Sequence, residues 1–352
     1  MDGLRGIAIL MVLAFHFNPI SGPLSYLGNV FQLGWVGVDL FFVLSGYLIT
    51  GILLDHAGTP GFYRNFVVRR SLRIFPLYYV ALALACFWAY FPEPIQWTAF
   101  FEERGGWWFA TYLGNFHVVG LNAWPDIGYL IPLWSLQVEE QFYLTYPFVA
   151  GWTKPRTLMK ILIAAIFGGL LLRAIATLLF PGNLVAPYVL MPCRMDVLAM
   201  GGVVAIAMRE QQAWLRHRWI AWGTLLCGVA FLALCWVLEA TPWPPLMRTL
   251  GYTLLDAAFA GVLILLVACR QPLLRAVCAT RILAWIGTIS YGLYLLHLPS
   301  AAAVRRWVEP ALGVQTLSST DMLLSAAAAL VAASISWLLF ERPILRLRDR
   351  LS

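Results

Sequence analysis

The sequence predicts an all-α polytopic membrane protein, with about ten transmembrane helices and a re-entrant or interfacial outer segment. Three observations carry this. Of its 352 residues 61% are hydrophobic and only 12% charged, about half the charged share of a soluble domain, and the mean hydropathy is +0.77. Apolar runs long enough for a hydrocarbon layer of about 30 Å recur along the chain between short connections, without the alternating short strands of a membrane barrel. The basic residues are also distributed very unevenly between alternate connections.

The first run, GLRGIAILMVLAFHF, covers Gly3 to Phe17. It lacks the basic leader and small-residue cleavage site of a secretory signal, so it is expected to stay as a span. A connection from Asn18 to Leu33 without lysine or arginine leads to a second span near Trp35–Leu54. A basic loop, YRNFVVRRSLR, then carries Arg64, Arg69, Arg70 and Arg73, and a third span follows to about Phe91. The stretch from Pro92 to Pro132 is rich in tryptophan and glycine and acidic at Glu93, Glu102 and Glu103. Further spans are expected near 134–151, 158–180, 196–208, 219–239, 249–269, 282–299 and 321–340.

Charge decides whether 107–119 crosses. If it does not, there are ten spans and both termini share one side. That side then holds 18 of the 24 lysines and arginines, from Arg5 to the four between Arg342 and Arg350. The other side holds Arg104, Arg194, Arg248, Arg305 and Arg306, and Arg173 falls within a span. This asymmetry marks the arginine-rich side as cytoplasmic. The 107–119 piece is therefore read as re-entrant or interfacial on the outer side, where irregular backbone needs cover from protein or water. No internal repeat, low-complexity linker or appended soluble domain is evident, so residues 1–352 read as a single membrane domain.

The net charge of +7 sits in short loops between spans and is no nucleic-acid signal. Cys86, Cys193, Cys227, Cys235, Cys269 and Cys278 make no CxxC pair or metal spacing, which argues against a disulfide framework and against a bound metal.

Polar residues at membrane depth are the candidates for chemistry. Arg5 and His16 lie along nearly one helical face, about 16 Å apart. A snorkelling Arg5 and a histidine bonded to a neighbouring helix is the structural alternative. The expected topology sends His16, Asp39, Glu139, Glu140, Arg194, Asp196 and His297 from five elements towards the outer half. That convergence fits a reaction or ion site. Asp39 can equally cap its helix, and Arg194 can pair with Asp196. Arg64, Arg69, Arg70 and Arg73 form an inner cluster. As topology determinants they need touch only lipid phosphates; as a cradle they suit an anionic cytosolic substrate. Tryptophans 107, 108, 124, 134 and 243 read as an interfacial belt, and those between 107 and 134 can also offer flat faces to a sugar.

The ordered set DGLRGIAIL…FHF, GWVGVDLFFVLSGYLIT, RRSLRIFPLYY, LWSLQVEEQFYLTYP, RMDVLAMGG, ISYGLYLLHLP and FERP resembles the acyltransferase family 3 membrane proteins over essentially the whole chain. These are bacterial enzymes that O-acylate surface sugars. The resemblance implies a ten-span domain in the cell inner membrane that moves an acyl group from cytosolic acyl-CoA to an outer acceptor. The family's Arg-x10-His motif falls on Arg5 and His16, its inner arginine motif on Arg69, Arg70 and Arg73, its SGF/YLI motif on Ser45, Gly46 and Tyr47, and its WSLxVE motif on Trp134, Ser135 and Glu139. By the same resemblance the arginines engage the phosphates of acyl-CoA, with acetyl-CoA the default donor, and His16 is catalytic. The chain starts directly at the first motif, where relatives often carry several residues before it. The esterase-like domain fused to some relatives is absent, so a separate periplasmic partner is allowed for.

The expected mechanism places acyl-CoA phosphates near Arg64–Arg73, with Arg5, Ser45 and Tyr47 along the donor path and the thioester at His16. His16 acts as general base or forms an acyl intermediate. Glu139 holds its tautomer, with His297 as a substitute or acceptor-side residue, and Arg194 or a backbone donor stabilises the oxyanion. The acceptor is a carbohydrate hydroxyl of O-antigen, exopolysaccharide or a glycoside. The competing reading is a proton-coupled transporter of small anionic compounds using the same histidines and carboxylates as a relay.

Overall fold

The structure, a computed structural model, describes residues 1–217, 219–238 and 241–350, with only the helical backbone for 347–350. Arg218 and the side chains of Arg348 and Arg350, part of the charge asymmetry, lie outside the described residues, as does Glu239 at the end of the seventh expected span. Among the described residues the fold is helical throughout, with one isolated bridge between Ser21 and Ser318.

The main helices are α1 (Asp2–His16), α2 (Gly37–His56), α3 (Phe62–Tyr90), α4 (Gly106–Ala110), α5 (Gly114–Leu121), α6 (Leu133–Trp152), α7 (Pro155–Leu179), α8 (Met191–Arg209), α9 (Trp219–Val237), α10 (Tyr252–Val267), α11 (Arg281–Thr288), α12 (Ser290–Ala303) and α13 (Ser319–Ser336). Among the described residues seven continuous helical stretches are long and apolar enough to cross a bilayer, and an eighth if α11 and α12, bent by 74°, form one span. Two helices at expected spans, α1 and α6, fall outside that set. With 15 residues, α1 is short for a hydrocarbon layer of about 30 Å, and α6 carries Glu139 and Glu140 in its first half.

The arginine-rich "loop" is helix. Arg64, Arg69, Arg70 and Arg73 all lie in the first turns of α3, whose 29 residues extend for about 44 Å. The sequence between Gly106 and Leu121 breaks into α4 and α5, five and eight residues long. Tyr112 adopts a positive φ of 59° between them, so this stretch is not one continuous helix.

Glycines set the closest approaches. A Cβ on Gly46 would collide with the Leu198 carbonyl of α8, and one on Gly37 with the Ala8 carbonyl of α1. Small residues let helix backbones come into contact where lipid offers little hydrophobic drive for association. These contacts fix α1 and α8 on α2. Two buried ion pairs reinforce the packing: Arg194 with Asp39, and Arg173 with Asp196 at 2.6 Å. Arg173 also donates to the Cys193 carbonyl at 2.6 Å and to Thr253 Oγ at 2.7 Å, tying α7, α8 and α10 together. The expected Arg194–Asp196 pair is replaced by these two, since each carboxylate meets an arginine from another element.

Asp2, Arg73, Ile344 and Leu345 line one cavity. Both ends of the described chain and the basic turns of α3 therefore share one end of the bundle.

Candidate active site

Two cavities in the bundle share wall residues, with Arg5 lining one and His16 the other. The arginine-side cavity, about 210 Å³, takes Arg5 from α1, Ser45 from α2, Arg70 and Arg73 from α3, and Ser135 and Glu139 from α6. Its apolar wall includes Phe41, Phe42 and Leu48. Its polar side is one linked network. Arg70 Nη2 donates to the Tyr143 hydroxyl at 2.6 Å, and that hydroxyl donates to Glu139 Oε2 at 2.9 Å. Ser45 Oγ also hydrogen-bonds the Tyr143 hydroxyl. The Arg70 guanidinium lies over the Tyr143 ring, 4.3 Å from its centroid. The planar fork of arginine suits both contacts at once, which a lysine ammonium would not.

Helical phase sorts the basic residues. Arg70 and Arg73, three apart, share the face that looks into this cavity. Arg69 instead lines a small groove of about 50 Å³ with His56 and Thr59, and Arg64 is exposed to the outside. Ser45 points inward, whereas Tyr47, two residues on, faces the electrostatic field of Arg209 and Asp55. Arg64, Arg69 and Tyr47, expected along the donor path, thus fall outside its cavity, because α3 cannot turn all four arginines to one side and α2 cannot turn both Ser45 and Tyr47 there.

The tryptophan-side cavity, about 240 Å³, holds His16 among the rings of Trp35, Trp124, Trp134, Tyr188 and Trp243. The rings pack on one another: Trp134 and Tyr188 centroids are 4.6 Å apart, and Trp124 and Trp243 6.3 Å. Trp124 and Trp134 therefore form a cavity wall, whereas Trp107 and Trp108 are 58% and 44% exposed.

His16 Nδ1 lies 2.9 Å from the Val12 carbonyl one turn back. A carbonyl oxygen only accepts, so Nδ1 carries the ring proton and Nε2 keeps the lone pair. His297 follows the same pattern. Its Nδ1 donates to the Tyr294 carbonyl at 2.8 Å, and its buried Nε2 has no hydrogen-bond partner among the described residues. The two imidazole centroids are 4.7 Å apart. His16 and His297 therefore lie side by side, and among the described residues neither Nε2 is hydrogen-bonded to another protein group.

The other two expected catalytic neighbours are elsewhere. Glu139 belongs to the arginine-side network and does not set the His16 tautomer, because the Val12 carbonyl already does. Arg194 is fully buried, paired with Asp39 and set 4.7 Å from the Tyr252 ring centroid, and it lines neither cavity. Its charge is spent in packing, which leaves the oxyanion role without geometry. Asp39 likewise is a buried ion-pair partner.

The cavities have two lining residues in common, Val38 and Tyr294. The Tyr294 hydroxyl donates to the Pro132 carbonyl at 2.8 Å and lies 2.6 Å from Ser135 Oγ. Sequence reasoning left out Tyr294, Tyr143 and Trp35. The spacing Glu139-x3-Tyr143 was a usable signal, because residues four apart share a helical face; Tyr294 carries no such local mark.

Similarity to known proteins is consistent along the chain. It is 32% identical to the peptidoglycan O-acetyltransferase OatA of Listeria monocytogenes, over 98% of this chain and 55% of that protein. It is 30% identical to the putative peptidoglycan O-acetyltransferase YrhL of Bacillus subtilis, over 85% of this chain and 48% of that protein. Against the O-acetyltransferase OatA of Staphylococcus aureus the identity is 26%, over 98% and 56% respectively. The chain thus spans about half the length of these curated relatives. No solved structure matches it. A family model described as an acyltransferase domain matches residues 1–341, almost the whole chain. The chain belongs to the acyltransferase 3 family.

Proposed function

We propose that this chain is a membrane O-acetyltransferase domain that takes an acetyl group from cytosolic acetyl-CoA and delivers it to a hydroxyl of a cell-wall glycan. The observation that carries this reading is the wall of Val38 and Tyr294 shared by an arginine-lined cavity and a histidine-bearing aromatic cavity. Two of the similar proteins have peptidoglycan in their names, which favours that polymer over O-antigen, exopolysaccharide or a small glycoside.

Residues 1–352 act as one membrane domain in the cytoplasmic membrane. It crosses ten times, counting α1 and α6 as polar crossings and the α11–α12 pair as one bent span, with both termini cytoplasmic. The 106–121 segment covers the outer mouth as a broken, re-entrant or interfacial piece. The basic turns of α3 then face the cytosol, and Arg5, Arg70 and Arg73 attract the phosphates of acyl-CoA. The pantetheine arm lies along the apolar wall and brings the thioester to the junction. A sugar ring occupies the aromatic cavity, whose planar faces suit the C–H faces of a pyranose.

His16 Nε2 removes the proton of the sugar hydroxyl as its oxygen attacks the thioester carbonyl. The C–O bond forms, the C–S bond breaks, and the leaving thiolate takes the proton back from His16. His297 Nε2, facing a second neutral imidazole, shares that proton while it is on the pair. The chain needs no metal for these steps, and an extracytoplasmic partner would receive or relay the product.

Membranes containing the chain, given radiolabelled acetyl-CoA and cell-wall glycan, are expected to transfer label to alkali-labile ester on the glycan. Binding of acetyl-CoA without any ester formation on glycan would overturn the acceptor assignment. Absence of both would favour proton-coupled transport.

A further inference from the structure

The thioester carbonyl needs a hydrogen-bond donor at the place where its oxygen becomes an oxyanion, and Arg194 is walled off behind aromatic rings. The groups at the junction of the two cavities are few. Val38 offers no donor. Arg5, Arg70, Ser135 and Glu139 line only the arginine-side cavity, and His16 only the other. Among the described residues Tyr294 alone both lines the two cavities and carries a hydroxyl.

We propose that the Tyr294 hydroxyl is a catalytic residue, the donor that binds the thioester carbonyl oxygen and stabilises the tetrahedral oxyanion. This rests on the acyl-transfer reading above. The hydrogen bonds around it show how the donor becomes available. Tyr294 donates to the Pro132 carbonyl at 2.8 Å, and Ser135 Oγ, 2.6 Å from the Tyr294 hydroxyl, donates its one proton to that oxygen while lying 3.2 Å from the same carbonyl. A second O–H donor therefore stands within reach of the one protein acceptor. When Tyr294 turns its proton to a substrate oxygen, Ser135 turns its own to the Pro132 carbonyl, so the switch leaves no buried carbonyl unpaired. The neighbouring Tyr291 is not placed for this, because its hydroxyl donates to the Ile74 carbonyl at 2.6 Å. Position also favours Tyr294: its ring is 6.1 Å from His297, which in turn is 4.7 Å from His16. Donor and base therefore flank the junction from two helices.

The chemistry is one hydrogen bond made mainly in the transition state. The sugar oxygen adds to the carbonyl carbon, the C=O π pair moves onto oxygen, and the Tyr294 O–H holds that charge. When the pair returns, the C–S bond breaks. Removal of one such donor elsewhere typically costs about 10²–10³-fold in kcat.

Acetyl transfer to glycan is measured against acetyl-CoA concentration for wild type, Tyr294→Phe, Ser135→Ala and His16→Ala, with melting in detergent followed alongside. Tyr294→Phe keeps the ring and should lower kcat by about 10²–10³-fold while the KM for acetyl-CoA stays within about twofold. Ser135→Ala leaves Tyr294 as the sole donor within reach of the Pro132 carbonyl and should lower kcat by about tenfold. A kcat for Tyr294→Phe within about threefold of wild type, or a loss borne by KM, overturns the proposal. Should Tyr294→Phe fail to fold, an unchanged kcat for Ser135→Ala overturns it. Full activity of His16→Ala would sink the acyl-transfer reading itself, whereas an inactive His16→Ala beside a fully active Tyr294→Phe removes only this inference.

Discussion

Replacing Asp39 by Asn tests whether Arg194 is a packing residue or part of the chemistry. Both side chains are almost wholly buried, at 0% exposure for Arg194 and 1% for Asp39. Asparagine keeps the shape and removes the counter-charge, leaving a guanidinium buried among Phe42, Tyr188 and Tyr252. Breaking a buried pair on one side costs about 3–5 kcal/mol, whereas exchanging both partners for apolar residues of similar volume is often neutral or stabilising. Asp39→Asn should therefore lower the melting temperature of the detergent-purified protein by several degrees. The double variant Asp39→Leu/Arg194→Met should recover most of that loss. Below its melting point the double variant should also retain acetyl transfer within a few-fold of wild type. A double variant that melts like wild type but transfers no acetyl group would refute this reasoning and return Arg194 to the mechanism.

Helical phase on α3 predicts unequal arginines: Arg70→Ala should raise the KM for acetyl-CoA by about 10–100-fold, from loss of a charge-assisted contact of about 1.5–3 kcal/mol, and Arg69→Ala by no more than about twofold. Saturation kinetics in membranes would separate the two, and equal effects would mean that α3 presents a different face. Trp124→Ala with Trp243→Ala should raise the KM for a soluble glycan acceptor by about tenfold and leave donor binding unchanged, as read by acetyl-CoA titration. Gly46→Leu should lower the yield of folded protein on size exclusion, because its side chain meets the Leu198 carbonyl.

The helical architecture was legible because bilayer thickness imposes length and hydrophobicity on each span. The failures have local causes. YRNFVVRRSLR read as a loop because charge marks the water boundary, yet a helix of 29 residues runs past that boundary without breaking. Of the site, His16 and His297 could be named from sequence because an ionisable group in an apolar run is conspicuous. Their pairing could not be placed, since it depends on the packing of α1 against α12. Arg194 and Glu139 were equally conspicuous, but conspicuousness identifies a buried charge and not its partner, which is Asp39 for Arg194 and Tyr143 for Glu139. Tyr294 stood beside Tyr291 in one motif, and the shared wall of two cavities distinguishes it. Trp124 and Trp134 fit a membrane belt by position and acquire a common purpose only when a loop and a helix bring them to Tyr188.

In the proposed reaction His16 Nε2, left free of the proton by the Nδ1 contact to the Val12 carbonyl, is the base for acetyl transfer. The most direct test of this role is the transfer rate of His16→Ala, at equal amounts in membranes, with and without added imidazole. A loss of about 10²–10⁴-fold is expected, with partial rescue by imidazole entering the cavity of about 240 Å³ that His16 lines. Transfer by His16→Ala at the wild-type rate would contradict this role.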